Sequence, residues 1–365
     1  MRVLVAMSGG VDSSVAAARL LAAGHDVVGV TMRLWGGESD TGCCSVSDID
    51  DARRVAQQLG IPHHVWNFGH EFEDRVVAPY VDAHRRGATP NPCIECNRHL
   101  KFDRLARRAE SLGFDAVATG HHARVVERPD GTHRIARGAD AAKDQSYVLY
   151  VLGQRALART LLPVGDITKE AVRAEAAALG LRTAGKPDSQ DVCFITSGAG
   201  RGGFLARRID LRPGRVVDAS GREVGQVPAV ELVTVGQRRG LGLAGGGGPR
   251  YVVGVDVPAA TVRVGSARDL LATQVVLDDV VWADRPVTGP VAAQCSAHGG
   301  PRPATVAPAG DGQGRRGVGG TGRAVVRFGE PQRRVAPGQS VVLYEGDEVV
   351  GGGLAMATPA EPPPT

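Results

Sequence analysis

The chain has 365 residues, of which 42% are hydrophobic and 22% are charged, and its formal net charge is +4. This length suits two or three domains with a substantial core. No apolar run approaches the ~20 residues that a membrane-spanning helix requires, and the chain begins directly with a strand pattern instead of a signal peptide. We therefore expect a cytoplasmic protein with six reduced cysteines. The mild basic excess suits a nucleic-acid partner without requiring one.

The first 205 residues alternate between strand-like and helix-like patterns. An apolar run at 3–6 ends at a Ser-Gly-Gly turn, and a helical pattern covers 15–23. Further strands are predicted at 27–32, at 61–66 and at 116–122, the last running into a loop, and further helices at 48–59, 72–80 and 104–112. Strands that alternate with helices predict an α/β fold with a doubly wound, mostly parallel sheet.

The composition changes near residue 205, where helical periodicity gives way to short β-branched runs separated by Gly, Asp and Pro. We predict a catalytic domain over 1–205, a small, mostly β central domain over 206–270 and a C-terminal antiparallel β-barrel over 271–358. The Gly-rich stretch 307–322 is predicted to be a mobile hairpin loop. The Pro-rich tail 359–365 is predicted to be disordered.

The turn after the first strand has the composition of an anion-binding loop and reads Ser8-Gly9-Gly10-Val11-Asp12-Ser13-Ser14. The glycines allow a sharp turn and close approach of a ligand, and the N–H groups of the following helix attract an anion. The turn lacks the lysine of a Walker A loop. It resembles the pyrophosphate-binding loop of the N-type ATP pyrophosphatases. The plainer interpretation is a Gly-rich turn of any doubly wound fold.

Three cysteines lie in polar loops that can support thiol chemistry. Cys93 and Cys96 follow two prolines and are surrounded by basic residues, which favour a nucleophilic thiolate. Cys193 lies in a second polar loop, 186–195. The alternatives are a structural zinc site at Cys93 and Cys96 and an inert buried thiol at Cys193. Cys43, Cys44 and Cys295 are interpreted as structural.

Several passages along nearly the whole chain resemble the tRNA-specific 2-thiouridylases, which thiolate the wobble uridine of tRNA. They are residues 6–14, 89–102, 118–123, 143–147, 186–195, 235–242 and 337–342. The resemblance implies an N-terminal fold like that of the adenine nucleotide α-hydrolases. It also implies an ATP site with Mg²⁺, formed by Ala6, Met7, Ser8, Gly9, Gly10, Val11, Asp12 and Ser13, with Met32 and Gly120 beside the adenosine.

The same resemblance implies a reaction in two stages. The C2 oxygen of uridine attacks the α-phosphate of ATP, with Asp12 as the acid/base or metal-orienting group. Cys193 then carries sulfur as a persulfide, and Cys96 attacks the Cys193 sulfur and forms a transient disulfide. The implied partners are the tRNA anticodon stem-loop and a cysteine desulfurase or sulfur-relay protein. The implied tRNA contacts are His121, Lys143, Asp144, Gln145 and Gln339.

Two departures from the family pattern keep alternatives open. Cys93 occupies a position where many members have aspartate, so that Cys93, Cys96 and Cys193 could instead hold a 4Fe–4S iron–sulfur cluster. Residues 294–298 replace an Arg-x-Arg pair that often reaches tRNA. Two other classes of function also fit parts of the pattern. They are an amidating ligase of the same fold, which would leave both cysteines unused, and a non-enzymatic RNA-binding protein with a metal staple.

Overall fold

The computed structural model describes residues 1–34, 45–188, 192–195, 198, 200–243, 248–309 and 322–357. Cys43, Cys44 and the tail 359–365 lie outside the described residues. Within the described ranges, no helix combines the length and the apolar character that crossing a membrane requires.

The N-terminal part is built on a five-stranded parallel sheet with the order β3-β2-β1-β4-β7. Its strands are β1 (Arg2–Ala6), β2 (Asp26–Arg33), β3 (His63–Asn67), β4 (Ala116–Thr119) and β7 (Thr160–Leu161). The chain reverses its direction of winding between β1 and β4, because β2 pairs with one side of β1 and β4 pairs with the other, both in parallel. In such sheets the crevice at this reversal, beyond the carboxyl ends of the strands, is where ligands bind.

Helices cover both faces of this sheet, as the sequence predicted. Val3 and Val5 face α1 (Val11–Ala22), α2 (Val46–Leu59) and α8 (Lys169–Ala178) in one buried cluster. Leu4 faces the opposite cluster, because successive strand residues point to opposite sides. That second cluster includes residues of α3 (Gly69–Phe72), α4 (Ala78–Arg85), α6 (Leu105–Ser111) and α9 (Gly200–Ala206). The short helix α5 (Pro92–Glu95) packs through Ile94 in a separate buried cluster.

Two π-helical stretches connect pairs of these helices, and the sequence pattern did not predict them. Glu73–Val77 joins α3 to α4, and Cys96–Arg104 joins α5 to α6, so that each pair is one continuous helical segment. Stretches of π-helix are rare and occur often at functional sites. The second one begins at Cys96.

A β-hairpin in the N-terminal part was not predicted. β5 (Ala123–Glu127) and β6 (His133–Arg137) are antiparallel, and β6 pairs with a strand of the C-terminal barrel. The N-terminal part also contains a 3₁₀ turn, Ser146–Leu149, and a short helix α7 (Gln154–Leu157). The chain therefore leaves the parallel sheet and extends the barrel sheet by two strands.

The central part is a four-stranded sheet with the order β10-β11-β8-β9. Its strands are β8 (Gly214–Val217), β9 (Glu223–Val227), β10 (Tyr251–Asp256) and β11 (Thr261–Gly265), and a 3₁₀ turn spans Val230–Leu232. The expected boundary at residue 205 falls inside α9, which packs on the N-terminal core through Phe204 and Leu205.

The C-terminal part is a six-stranded antiparallel barrel closed by pairing between its first and last strands. The strands are β12 (Leu271–Trp282), β13 (Gly289–Gln294), β14 (Arg302–Ala309), β15 (Gly322–Arg333), β16 (Ser340–Glu345) and β17 (Glu348–Ala355). The loop expected at 307–322 is shorter at both ends, because 307–309 belong to β14 and residue 322 begins β15. Residues 310–321 lie outside the described residues.

Arg134 of β6 is a buried cation that joins the hairpin to the barrel. Its guanidinium donates to Asp284 at 2.9 and 3.1 Å and to Glu345 at 3.0 Å. The side chains of Arg134 and Asp284 are 1% and 7% exposed. Buried charges need such partners, since an unpaired one loses its hydration without compensation.

We predict that Arg134→Ala lowers the free energy of unfolding by about 3–5 kcal/mol, because Asp284 is left buried without its cation. Arg128 is the matched control, since it lies in the same hairpin and bonds Glu348 with 30% of its side chain exposed. Arg128→Ala should cost about 1 kcal/mol or less. Urea denaturation followed by circular dichroism compares the two variants, and equal losses would contradict the buried-pair argument.

Candidate active site

A cleft of about 1080 Å³ lies beyond the carboxyl ends of β1, β2 and β4. Its floor includes Ala6, Met32 and Thr119, which lie at or near the ends of these three strands. The Cys96 helix and the Cys193 loop form one side. Residues 297–301 of the barrel, in the loop between β13 and β14, form the opposite side. The nucleotide loop, the two cysteine-containing segments and one loop of the barrel therefore border the same space. The described residues of the central part do not contribute to the lining.

The loop between β1 and α1 is shaped by its own hydroxyl groups. The Ser8 N–H donates to Ser13 Oγ at 3.2 Å, and Ser13 Oγ donates to the Gly10 carbonyl at 3.2 Å. Gly9 has φ +74°, and a Cβ there would lie 2.2 Å from the Asp48 carbonyl oxygen, so only glycine fits. No side chain caps the start of α1. Its first N–H groups are therefore available to an anion such as a phosphate.

Most of the predicted nucleotide residues border the cleft. Those that line it are Ala6, Met7, Ser8, Asp12, Ser13, Met32 and Gly120. Gly9, Gly10 and Val11 form the turn but are not among the lining residues. Gly120 has a steric role in the loop, because a Cβ there would lie 2.5 Å from the Ser13 nitrogen.

Asp12 is held by two side chains that the sequence analysis did not single out. Lys169 Nζ donates to both Asp12 oxygens at 2.7 Å, and His122 Nε2 donates to Oδ1 at 3.0 Å. Burial raises the pKa of the Asp12 carboxyl, but the hydrogen bonds from His122 and Lys169 outweigh burial and bring the pKa below its usual value. Asp12 is therefore a carboxylate at neutral pH.

The same lysine connects Asp12 to the segment that leads to Cys193. Asp188 accepts from Lys143 at 2.8 Å and from Arg173 at 2.7 Å, and its Oδ1 lies 3.0 Å from Lys169 Nζ. The hydrogen bond from Lys143, together with Lys169, holds the pKa of Asp188 well below its usual value. Asp188 thus gathers three cations at the edge of the cleft, and two of them, Lys143 and Lys169, line it.

Lys186 connects the nucleotide loop to α2 through hydrogen bonds. Its Nζ donates to the Gly9 carbonyl at 3.0 Å, to Asp48 at 2.6 Å and to Asp51 at 2.7 Å. Burial lowers the pKa of Lys186, whereas the hydrogen bonds to Asp48 and Asp51 raise it, and the net shift is upward. Residues 186 and 188 therefore reach the nucleotide loop from the segment that precedes Cys193.

His121 is buried in the wall of the cleft and is neutral. Burial, with the charge of nearby Lys101, lowers the pKa of His121 well below its usual value. Thr119 Oγ1 lies 2.7 Å from His121 Nδ1, and Lys101 Nζ lies 3.5 Å from Nε2. A neutral ring that accepts from Lys101 at Nε2 donates its Nδ1 proton to Thr119.

The three cysteines of interest, Cys93, Cys96 and Cys193, all line the cleft. Cys96 is buried, the other two are half-buried, and all three are thiols in this structure. Val192, directly before Cys193, has φ +57°, a conformation that a β-branched residue rarely adopts. Phe194, directly after it, packs edge-on against Phe72 and Tyr80.

The cysteines do not form a ready metal site. Across the described residues, no group of three or more His, Cys, Asp or Glu side chains is arranged to hold a metal ion. Cys295 is separate from this chemistry, because it does not line the cleft and burial raises the pKa of its thiol to about 11.

The expected RNA contacts are already engaged within the protein. Asp144 accepts from the Gly138 N–H and from Arg137, and Gln145 Oε1 accepts from the His122 N–H at 2.9 Å. Lys143, Asp144 and Gln145 nevertheless line the cleft. Gln339 does not line it, and its amide donates to the Thr89 carbonyl.

One signal in the sequence could have identified Lys169. It is the first residue of α8, where a cation is disfavoured by the helix dipole. A lysine in that position therefore indicates a role other than stabilising the helix, such as pairing with an acidic group elsewhere in the chain. His122, Asp188 and Lys186 carried no comparable signal, since their partners come from distant parts of the chain.

We predict that Lys169→Met weakens ATP binding by roughly tenfold or more, because Asp12 and Asp188 then lack a shared cation beside the phosphate-binding loop. The matched control is Arg173→Met. Arg173 bonds Asp188 but has no contact with Asp12 among the described residues, so its loss should cost less than about threefold. Isothermal titration calorimetry with ATP measures both. A similar loss in the two variants would show that the contact with Asp12 is unimportant.

Comparison with protein-family models assigns each of the three parts of the chain to a known domain type. Three family models match: the tRNA methyl transferase HUP domain over 1–197, the tRNA methyl transferase PRC-barrel domain over 202–266 and the aminomethyltransferase beta-barrel domain over 315–355. Among solved structures, a 4-thiouridine synthetase–RNA complex with ATP is similar at 18% identity and TM-score 0.36, covering 53% of this chain and 44% of that one. A likeness at this level carries no functional argument.

Similarity to curated proteins is much stronger. The tRNA-specific 2-thiouridylase MnmA of Beutenbergia cavernae is 48% identical over 369 residues, covering 98% of this chain and 95% of the relative. The protein of the same name from Mycolicibacterium smegmatis is 49% identical and covers 96% of this chain and 98% of the relative. The chain belongs to the family of the tRNA-specific 2-thiouridylases.

Proposed function

We propose that this protein is an ATP-dependent tRNA-uridine 2-sulfurtransferase of the cytoplasm. It adenylates the C2 oxygen of the wobble uridine and replaces that oxygen by sulfur, giving 2-thiouridine, AMP and pyrophosphate. The observation that carries the proposal is the single cleft bordered by the nucleotide loop, Cys96 and Cys193. An amidating ligase would need the loop but would have no use for the two thiols.

Adenylation is assigned to the nucleotide loop. The N–H groups at the start of α1 and the Ser8 hydroxyl would bind phosphate oxygens, and Lys169 would compensate the charge of the leaving pyrophosphate. The uridine oxygen then attacks the α-phosphate and forms a C2–O–AMP bond. The C2 oxygen alone is a poor leaving group, whereas as part of AMP it is a good one. Asp12 is ionised and bonded to Lys169 and His122, so its role here is to orient these groups.

Mg²⁺ fits this site only in part. Asp12 is the one carboxylate of the nucleotide loop, and Mg²⁺ at such sites is held by one or two carboxylates together with phosphates and water. Bound there, Mg²⁺ would neutralise phosphate charge. A 4Fe–4S cluster finds less support, because the described residues contain no group of three suitable ligands.

Sulfur transfer is assigned to the two cysteines. Cys193 receives a sulfur atom as a persulfide from a cysteine desulfurase or a relay protein. The Cys96 thiolate attacks the Cys193 sulfur, a Cys96–Cys193 disulfide forms, and the terminal sulfur leaves as sulfide. Sulfide attacks C2 of the adenylated base and AMP departs with the bonding electrons. A thiol reductant supplies the two electrons that return the disulfide to thiols. The unusual φ of Val192 supports a Cys193 loop that changes shape during this cycle.

The tRNA is proposed to enter between the parallel sheet and the barrel. His121, Lys143, Asp144 and Gln145 lie on one wall and residues 297–301 on the other. His121 is neutral, so it can contact a base without attracting a phosphate. Gln339 remains a predicted RNA contact, although it is not a lining residue of this cleft.

We predict that Cys193→Ser abolishes 2-thiouridine formation but retains tRNA-dependent release of pyrophosphate, because adenylation does not need the thiol. Cys295→Ala is the matched control and should keep both activities, since Cys295 does not line the cleft. Mass spectrometry of nucleosides and a pyrophosphate assay measure the two steps. Thiolation by the Cys193 variant would exclude the persulfide mechanism.

We further predict that protein purified without air and depleted of iron thiolates tRNA with ATP and a sulfur donor. Cys93→Ser should retain most of this activity, because the persulfide mechanism uses Cys96 and Cys193. Iron and labile-sulfide analysis accompanies the assay. Activity that follows the iron content and disappears with Cys93 would establish the cluster mechanism instead.

A further inference from the structure

The segment that carries the catalytic cysteine, residues 89–104 (the Cys96 segment), is attached to the C-terminal barrel at its beginning. The Thr89 N–H donates to the Pro337 carbonyl at 2.7 Å. The Gln339 side-chain amide donates to the Thr89 carbonyl. Both backbone polar groups of Thr89 are therefore bonded to the loop between β15 and β16, which holds this residue as a strand partner would.

The approach of the two chains at this point is close. Gly338 has φ +81°, and a Cβ there would lie 3.1 Å from the Ala88 Cβ and 3.4 Å from the Thr89 nitrogen. A larger residue would push the loop away from the Cys96 segment. The glycine therefore permits the two hydrogen bonds on either side of it.

The Cys96 segment is attached to the barrel a second time, beyond the cysteine. Arg98 Nη1 donates to Asp279 Oδ2 at 3.1 Å, and the Arg98 side chain is 19% exposed. Asp279 lies in β12 where the strand register shifts against both of its neighbours, and its φ is +49°. This bulge directs the carboxylate out of the regular ladder. Such a conformation costs free energy and persists where its surroundings require it.

Cys93 and Cys96 lie between these two attachments. Asn91 caps α5 by accepting from the Cys93 N–H at 3.0 Å, and the π-helical stretch begins at Cys96. Neither attachment is made by residues that line the cleft, which separates them from direct contact with a substrate there. Their common effect is on the place of the thiol relative to the nucleotide loop.

We propose that Asp279 and Gln339 are positioning residues, through which the barrel fixes both ends of the Cys96 segment and so the place of the Cys96 thiol. This assignment rests on the proposed sulfur transfer. A barrel that binds RNA and also aligns the nucleophile couples the two tasks, because a displacement of about 1 Å at a reacting group can cost a hundredfold in rate.

The test begins with Asp279→Gly, which removes the carboxylate without strain because glycine accepts φ +49°. Asp279→Asn is the conservative variant, since asparagine tolerates this conformation and keeps an oxygen for Arg98. Asp278→Asn is the matched control, as Asp278 is the neighbouring exposed carboxylate and pairs with Arg323. Gln339→Glu removes the donor to Thr89, and Gln332→Glu is its control in β15, where the Gln332 amide donates to the Glu330 carbonyl of the same strand.

Two measurements need neither tRNA nor a sulfur donor. They are amide hydrogen exchange of peptides that cover 89–104, and the rate at which iodoacetamide alkylates Cys96, resolved by mass spectrometry. In Asp279→Gly and Gln339→Glu we expect exchange to rise about fivefold or more and the alkylation rate to change. Asp279→Asn and both controls should resemble the unmodified protein.

A third measurement separates positioning from RNA contact. At saturating tRNA, single-turnover thiolation by Asp279→Gly and Gln339→Glu should fall roughly tenfold, while the dissociation constant for tRNA changes less than about twofold in Asp279→Gly. Unchanged exchange and alkylation would overturn the proposal. So would weaker tRNA binding with an unchanged rate at saturation, which would make these residues RNA contacts. If the unmodified protein does not thiolate tRNA, the proposed function fails, while exchange and alkylation still decide the positioning role.

Discussion

The carboxylate of Asp12, held between Lys169 and His122, is the contact on which the cleft depends. Asp12 lies in the first turn of α1, His122 follows β4 and Lys169 begins α8, so this one group joins three elements around the nucleotide loop. A half-buried carboxylate needs partners that compensate its lost hydration. Replacing one partner alone would leave a charge without that compensation. Through Asp188, the same network continues to the segment that precedes Cys193.

This continuity brings together two loops that are assigned different steps in the proposed reaction, activation of the base and delivery of sulfur. Lys169 and Lys186 contact the nucleotide loop, while Lys169 pairs with Asp188 and Lys186 lies in the segment that precedes Cys193. Arrival or departure of a phosphate would change the charges that Lys169 balances. Asp12 and Asp188 share this lysine, so the same charge balance extends from the nucleotide loop to the segment before Cys193.

The parallel sheet and the nucleotide loop could be predicted, because buried strands are continuous apolar runs and a Ser-Gly-Gly turn has few alternatives. The hairpin β5–β6 could not, since its strands carry Arg124, Glu127, His133 and Arg134 and lack an apolar face of ordinary appearance. The sequence identified the cysteines as candidates for thiol chemistry. That they line one cleft became apparent only from the fold. Lys169, His122 and Asp188 escaped prediction because ion pairs between distant residues leave no local pattern. The assigned roles of the site residues and the expected domain boundaries remain predictions.

The hairpin has a consequence for the order in which the molecule can form. Arg134 and its partner Glu345 are 211 residues apart in the sequence, and the ladder between β6 and β17 pairs Ala136 with Glu348. During synthesis the hairpin therefore leaves the ribosome long before the barrel exists, with an open strand edge and a cation that has no counter-charge from the barrel. Closing so long a loop is slow. The hairpin at 123–137 thus gains its partners in β16 and β17 only after these strands have been synthesised, more than 200 residues later.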